Sequence, residues 1–399
     1  MEKDKFNGER LKTARLYRGL TLAELGKNIN ISKQLLSLYE NGHNSPDFAK
    51  VKDMSKELYF PIDYFYQQDK LKDISESTYF RSLTTTSKKS RISQIIKAQH
   101  IATIYDILYR YIQFPGSNIP GFEFEGSNNS YDSNNIMDTN RIEDISVELR
   151  RLWGLGLEPI QNLQYEMEKN GIVITGFNAG DEKIDAFSQR TNIDKDVVFI
   201  VVLSIGQKPE GRINFDMAHE LGHILLHPWT EDLETLSNDE FRARESQANI
   251  FASSFLLPRD SFKEDIKLYP TDLDYYLYLK KKWKCSAQAM IYRTHQLGII
   301  SSNQYQYLMK QVSQKGWRKK EPGDVPYLLN ENIFQGSIDI LIDSEIMTAK
   351  EFIEELSVNS ISLYRDEVEN LLNLRKGTLD YKEDNVIQLR PLKINVSNN

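Results

Sequence analysis

The residues best suited to chemistry lie close together. His219, Glu220 and His223 fall in the run AHELGHILLH, residues 218–227. On a helix, four residues advance roughly 6 Å, at about 1.5 Å per residue, and both imidazoles share one face. Two neutral ring nitrogens on one face can bind a single Zn2+. Glu220 projects beside them and can take a proton from a water that the metal polarises, without itself being a ligand. Gly222 inside a helix costs about 1 kcal/mol against Ala, which suggests that a strand or substrate backbone passes close. A bare H-E-x-x-H also arises by chance, in an amphipathic helix that merely carries two histidines.

A zinc site needs a third protein ligand, and two residues compete. His227 lies on the same helical face, but eight residues from His219 is roughly 12 Å along a straight helix, too far for one ion. Its expected role is structural or cleft-lining. Glu245, at the head of ESQANIFA (245–252), is the better candidate, although a lone Glu on a helix is usually solvated. The single cysteine, Cys285, excludes a thiolate-rich site and any internal disulfide. Any metal would rest on imidazole and carboxylate.

The elements around these residues read as follows. Residues 142–170 show helical periodicity and end at Asn170-Gly171. Two β-branched runs, 172–175 and 197–202, read as strands. A helix over about 212–227 carries the motif. Another over 238–257 starts at the capping box Ser237–Glu240 and stops at Pro258. The order is helix, strands, metal helix, second helix, an α+β arrangement. The remainder from about 261 reads as mostly helical.

Arg212 through His227, followed by Glu245 through Pro258, resembles the ImmA/IrrE family of metallopeptidases. The carrying pattern is R-x-x-F, HELGH-x-x-L-H, then E-x-Q-A-N-x-F-A and a closing L-L-P. The resemblance extends over roughly 141–320. It implies a zincin-like fold, Zn2+ held by His219, His223 and Glu245, and Glu220 as general base. It also implies a protein substrate, typically a helix-turn-helix repressor.

The N-terminal segment carries a second pattern. Thr21 and Glu24 form a capping box, Asn30 can take the left-handed turn, Ser32 caps a second helix to about Glu40, and Asn41-Gly42 ends it. Residues 8–66 resemble the Cro/C1-type (XRE) helix-turn-helix domain, departing from it with Gly26 where Ala is usual and Asn30 where Gly is usual. The resemblance implies a double-stranded DNA operator as partner, with Ser32, Lys33, Gln34 and Ser37 projecting into the major groove. The plain alternative is a helical domain used for dimerisation or protein binding.

Composition agrees with this division. The chain has 399 residues and a net charge of −7. Residues 1–70 hold twelve basic and ten acidic residues, so a slightly basic head sits on an acidic body. No apolar run is long enough to span a membrane, and the charged N-terminus lacks the core of a secretory signal. The expectation is a cytoplasmic homodimer. The fold expected is multi-domain: an all-α helix-turn-helix domain (1–70), a helical connector and linker (71–140), an α+β zincin-like metallopeptidase domain (141–320) and a mostly helical C-terminal region without assigned role (321–399). Residues 115–138 read as the main linker, and an extended tail follows Asp384. Lys280–Lys282 and Arg318–Lys320 read as solvated charge. Trp283, Tyr292 and the Tyr-rich segment 275–278 read as packing aromatics, and Cys285 as a buried small side chain.

This chain therefore reads as a DNA-binding regulator whose zinc peptidase cleaves itself, around residues 70–140, or a partner repressor. A regulator using the zincin fold as a non-proteolytic sensor is the alternative, and a toxin-binding module is a weaker one.

Overall fold

A computed structural model of the chain describes residues 5–67, 75–80, 87–121, 139–177, 186–194, 196–206, 208–229, 236–329 and 331–381. The Ser82–Thr86 stretch, most of the linker over 115–138 and the tail after Asp384 lie outside the described residues.

The N-terminal unit contains α1 (Gly8–Tyr17), α2 (Leu22–Asn28), α3 (Lys33–Glu40) and α4 (Phe48–Leu58), closed by a 3-10 turn over Ile62–Tyr66. Thr21 and Glu24 form both halves of the expected capping box, Ser32 caps α3, and Asn30 makes the turn at φ 55. Gly26 is required by a close approach: a Cβ there would stand 2.4 Å from the Ile31 carbonyl oxygen. Its departure from the family pattern is therefore a local fit. A buried ion pair ties α1 to the end of α3, with Arg15 Nε donating to Glu40 Oε1 at 2.6 Å and a second nitrogen to Oε2 at 2.9 Å.

Strand β1 (Ser75–Phe80) and the long α5 (Lys88–Tyr109) follow, then α6 (Thr139–Leu152) and α7 (Leu163–Lys169). The helical reading of 142–170 thus divides in two, because Gly154 and Gly156 take positive φ between the halves. Next come β2 (Ile172–Phe177), β3 (Ala186–Ile193) and β4 (Asp196–Ser204). The sheet order is β1-β3-β4-β2, antiparallel except for the parallel pair β2–β4. Two of these strands escaped the sequence reading. β1 has four polar residues, Ser75 to Thr78, ahead of Tyr79 and Phe80, and β3 buries Ser188, Gln189 and Thr191, so neither shows an apolar/polar alternation.

Helices α8 (Glu210–Leu226) and α9 (Asn238–Leu256) carry the chemical residues, and α10 (Arg259–Ile266), α11 (Leu273–Trp283), α12 (Ala287–Gln296) and α13 (Ser302–Gln314) complete this half. The C-terminal α14 (Ile333–Asp343), α15 (Ala349–Val358) and α16 (Arg365–Leu372) come last.

The sheet separates two cores. One face presents Ile172, Ile174, Phe199, Val201 and Leu203 to a core shared with α6 to α13. The other presents Val173, Phe187, Val198, Ile200 and Val202 to a core that runs without a break through α5, the C-terminal helices and the N-terminal unit. The period of two along each strand makes this two-sided burial possible. The C-terminal region is therefore the second cover of the sheet and also a clamp on the N-terminal unit. Arg10 donates to the Ser360 carbonyl oxygen at 2.8 Å. The Tyr17 hydroxyl (2.8 Å) and Arg18 Nη1 (3.0 Å) donate to Glu367, and the Tyr59 hydroxyl donates to Asp366 at 2.7 Å.

Of the residues expected to be unremarkable, Trp283 and Tyr276 are buried, whereas Tyr278 and Tyr292 are exposed. Cys285 is buried, which pushes its thiol up to about 12. Lys280 corrects its reading as solvated charge: it is nearly buried and pairs with Glu321 at 2.9 Å and with Asp324. Among the described residues no helix is long and apolar enough to cross a membrane.

Candidate metal centre and DNA-reading face

Helix α8 is buried along almost its whole length, so its polar residues must find partners inside the protein. His219 and His223 stand on one face, and their Nε2 atoms lie 2.9 Å apart. α9 packs along α8 and brings Glu245 to them, with Oε2 at 3.4 Å from His219 Nε2 and Oε1 at 3.2 Å from His223 Nε2. Gly222 permits this approach. A Cβ there would meet Ala248 Cα at 3.1 Å, so the element passing close is α9, and neither a strand nor a substrate backbone.

His219, His223 and Glu245 are a group able to hold a metal ion, with ligand atoms all within 4.8 Å of one another. Around zinc, bonds of about 2.0–2.1 Å give tetrahedral edges near 3.3 Å. The two carboxylate-to-imidazole separations match that edge, and the donor chemistry of two imidazoles and a carboxylate suits Zn2+.

Hydrogen-bond partners assign the ring tautomers. Asn249 Oδ1 lies 3.0 Å from His219 Nδ1 and accepts its proton, leaving Nε2 as the basic nitrogen. Gln247 Oε1 lies 3.0 Å from His227 Nε2, and His227 Nδ1 lies 2.8 Å from His223 Nδ1. The chain of donations runs from His223 to His227 to Gln247, and it again leaves Nε2 of His223 basic. Burial pushes His227 well below the usual imidazole range, so it stays neutral and serves as this acceptor. The expected structural role of His227 is thus an orienting one. Burial alone would raise the Glu245 carboxyl, but His219 and His223, once protonated at Nε2, outweigh it and hold the group at about 2. A buried carboxylate against two imidazoles calls for a cation, whether proton or metal.

Glu220 is fully buried, and β3 reaches it: the Ser188 hydroxyl donates to Glu220 Oε2 at 2.7 Å. Ser188, Asn249 and Gln247 were not singled out from the sequence. Asn249 was detectable, standing one helical turn beyond Glu245. Ser188 lay in a strand that could not be recognised.

The four residues expected to read DNA share one exposed edge of the N-terminal unit. Lys33 and Gln34 are exposed at the start of α3, Ser32 is exposed, and Ser37 is half-buried. Ser32 also caps its own helix, accepting from Leu35 N at 3.2 Å, and Asn41 donates to Ser37 Oγ at 3.3 Å. Leu36 and Tyr39 face the core, whereas Leu38 is 43% exposed.

Comparison with known proteins agrees with both halves. Residues 167–295 match the family model described as IrrE N-terminal-like domain. The chain carries an IrrE-like domain. Residues 11–65 match the Helix-turn-helix model, a DNA-binding module. The IrrE-like segment contains β2, β3, β4, α8 and α9, and so holds His219, His223, Glu245 and Glu220. No curated protein matches the chain. Among solved structures, a Mycobacterium tuberculosis transcriptional regulator aligns at 19% identity with a TM-score of 0.28, covering 39% of this chain and 48% of its own. The chain thus spans about half the length of that protein. A helix-turn-helix domain joined to an IrrE-like domain is the composition of a transcriptional regulator with a metallopeptidase-like fold.

Proposed function

We propose that this protein is a transcription regulator that reads a DNA operator through Ser32, Lys33, Gln34 and Ser37. In this reading its IrrE-like domain is a zinc-dependent endopeptidase acting on the chain itself or on a partner repressor. The observation that carries the peptidase reading is the placement of Glu220. It is a buried carboxylate, steadied by the Ser188 hydroxyl, on the same helix as His219 and His223.

His219, His223 and Glu245 would hold Zn2+, oriented by Asn249, His227 and Gln247. When bound, the zinc supplies Lewis-acid polarisation and stabilises developing negative charge. Glu220 takes the proton of the attacking water and passes it to the leaving amine. Ser188 keeps that carboxylate in one rotamer, so the base is in position before substrate arrives.

A second reading has a specific observation behind it. The clamp of Arg10, Tyr17 and Arg18 on the C-terminal region ties the DNA-reading unit to the sheet, so a change in the zincin fold could reach DNA without any cut. Comparing the zinc-loaded chain with Glu220→Gln separates the two. Both should retain metal. Cleavage of the chain or of a partner repressor, seen by intact mass in the native protein and lost in the variant, supports the peptidase. A variant that still relieves repression normally in cells refutes it.

A further inference from the structure

Three of the four strands fall inside the IrrE-like segment, and the fourth does not. β2, β3 and β4 lie within 167–295, whereas β1 comes from residues 75–80, between the DNA-reading unit and α5. Taken alone, the strands of the segment run β3-β4-β2, with β3 at an edge. That edge strand is the one the candidate site leans on, since Ser188 of β3 donates to Glu220.

β1 pairs antiparallel with β3, and its register sets Tyr79 opposite Ser188, with Thr78 opposite Gln189 and Phe80 opposite Phe187. Directly opposed residues in such a pair lie about 4.5–5.5 Å apart at Cα. The main chain of the connector therefore passes one strand spacing from the residue that holds Glu220. The pairing is regular from Ser77 to Phe80, and its register shifts between Ser75 and Ser77. The strand reads SESTYF, against DVVFIVVLS for the buried β4. What ties it to β3 is the antiparallel main-chain ladder. Pairing at a sheet edge is also how proteins take up extended peptides with little demand on sequence.

We propose that the outer edge of β3 is the peptide-binding edge of the Glu220 site, and that residues 75–80 of this chain are its resident occupant. A second extended peptide reaches the site only by displacing β1. On the peptidase reading above, which this inference extends, the first peptide bonds the site meets are those of residues 77–80.

Binding and cutting are tested separately. A labelled peptide of residues 73–82 is titrated against the metal-free full chain and against a variant carrying both Thr78→Pro and Tyr79→Pro, one of which removes a ladder N–H because these alternate along the strand. The variant should bind the peptide at least tenfold tighter than the native chain does, and amide exchange across 187–191 should rise. A second variant, with 75–80 replaced by a Gly/Ser repeat, gives the same comparison without proline, and circular dichroism verifies that each remains folded. Equal or weaker binding by folded variants overturns the proposal. The zinc-loaded native chain should yield fragments ending within 75–80, absent from Glu220→Gln. Fragments ending only elsewhere overturn the assignment of β1. Tenfold peptide discrimination with no fragments at all leaves the edge assignment standing and refutes the peptidase.

Discussion

Replacing His227 by Ala tests the orienting chain behind the metal centre. His223 and His227 are buried, and the 2.8 Å contact between their Nδ1 atoms fixes which nitrogen of His223 faces Glu245. The substitution strands a buried N–H on His223 and a buried acceptor on Gln247, each costing about 1–3 kcal/mol if no water enters. It also releases the His223 ring to rotate or change tautomer. Removing the partner of a metal-binding imidazole typically weakens affinity about 10–100-fold. A bound zinc ion would stabilise the fold by RT ln(1 + [L]/Kd), so a 100-fold loss at fixed, saturating zinc would remove about 2.7 kcal/mol of metal-dependent stability. The assay is the melting temperature of native, His227→Ala and His223→Ala proteins with and without Zn2+, beside competition against a chromophoric chelator. The native chain should show the largest zinc-dependent rise, His227→Ala a smaller one and His223→Ala essentially none. A folded His227→Ala protein whose zinc affinity lies within twofold of native would refute the reasoning.

Two further outcomes follow from groups outside the centre. Burial pushes Glu168 up to about 8, against the lowering influence of the Ile333 amide and Gln164. Its folded value lies above the unfolded 4.5, so its stability contribution is complete below about pH 4.5 and is lost as pH rises through 8. Glu168→Gln should therefore gain on the order of 4–5 kcal/mol at pH 8.5 and less than about 1 kcal/mol below pH 5, measured by urea unfolding at both pH values; a gain independent of pH contradicts the assignment. Glu367 accepts from Tyr17 and Arg18, and Glu367→Ala should cost about 2–3 kcal/mol at that junction. Amide exchange over residues 14–20 reports it, and unchanged protection would show that the clamp is held elsewhere.

The candidate metal centre was legible in the sequence because helical spacing fixes side-chain direction. His219, Glu220 and His223 needed no tertiary information to share a face. Glu245 did, since only the packing of α9 on Gly222 brings it within reach. The helix-turn-helix was equally legible, because Thr21, Asn30 and Ser32 each perform a local task. The sheet was half legible. β4 announces itself with β-branched residues, whereas β3 buries Ser188, Gln189 and Thr191, with Ser188 set against Glu220, and β1 offers only Tyr79 and Phe80 beside four polar residues. The C-terminal region gave no sign of its role, because a clamp made of Ser360, Asp366 and Glu367 has no local signature.

That clamp changes what a cut in the connector would accomplish. The N-terminal unit shares one continuous core with α5 and the C-terminal helices, so severing the backbone near β1 leaves two fragments that still fit together. What had been an intramolecular contact becomes a bimolecular one, governed by a dissociation constant and by concentration. Release of the reader then depends on dilution and on how quickly each fragment is removed, which would make the response of the nicked protein a matter of kinetics as much as of chemistry.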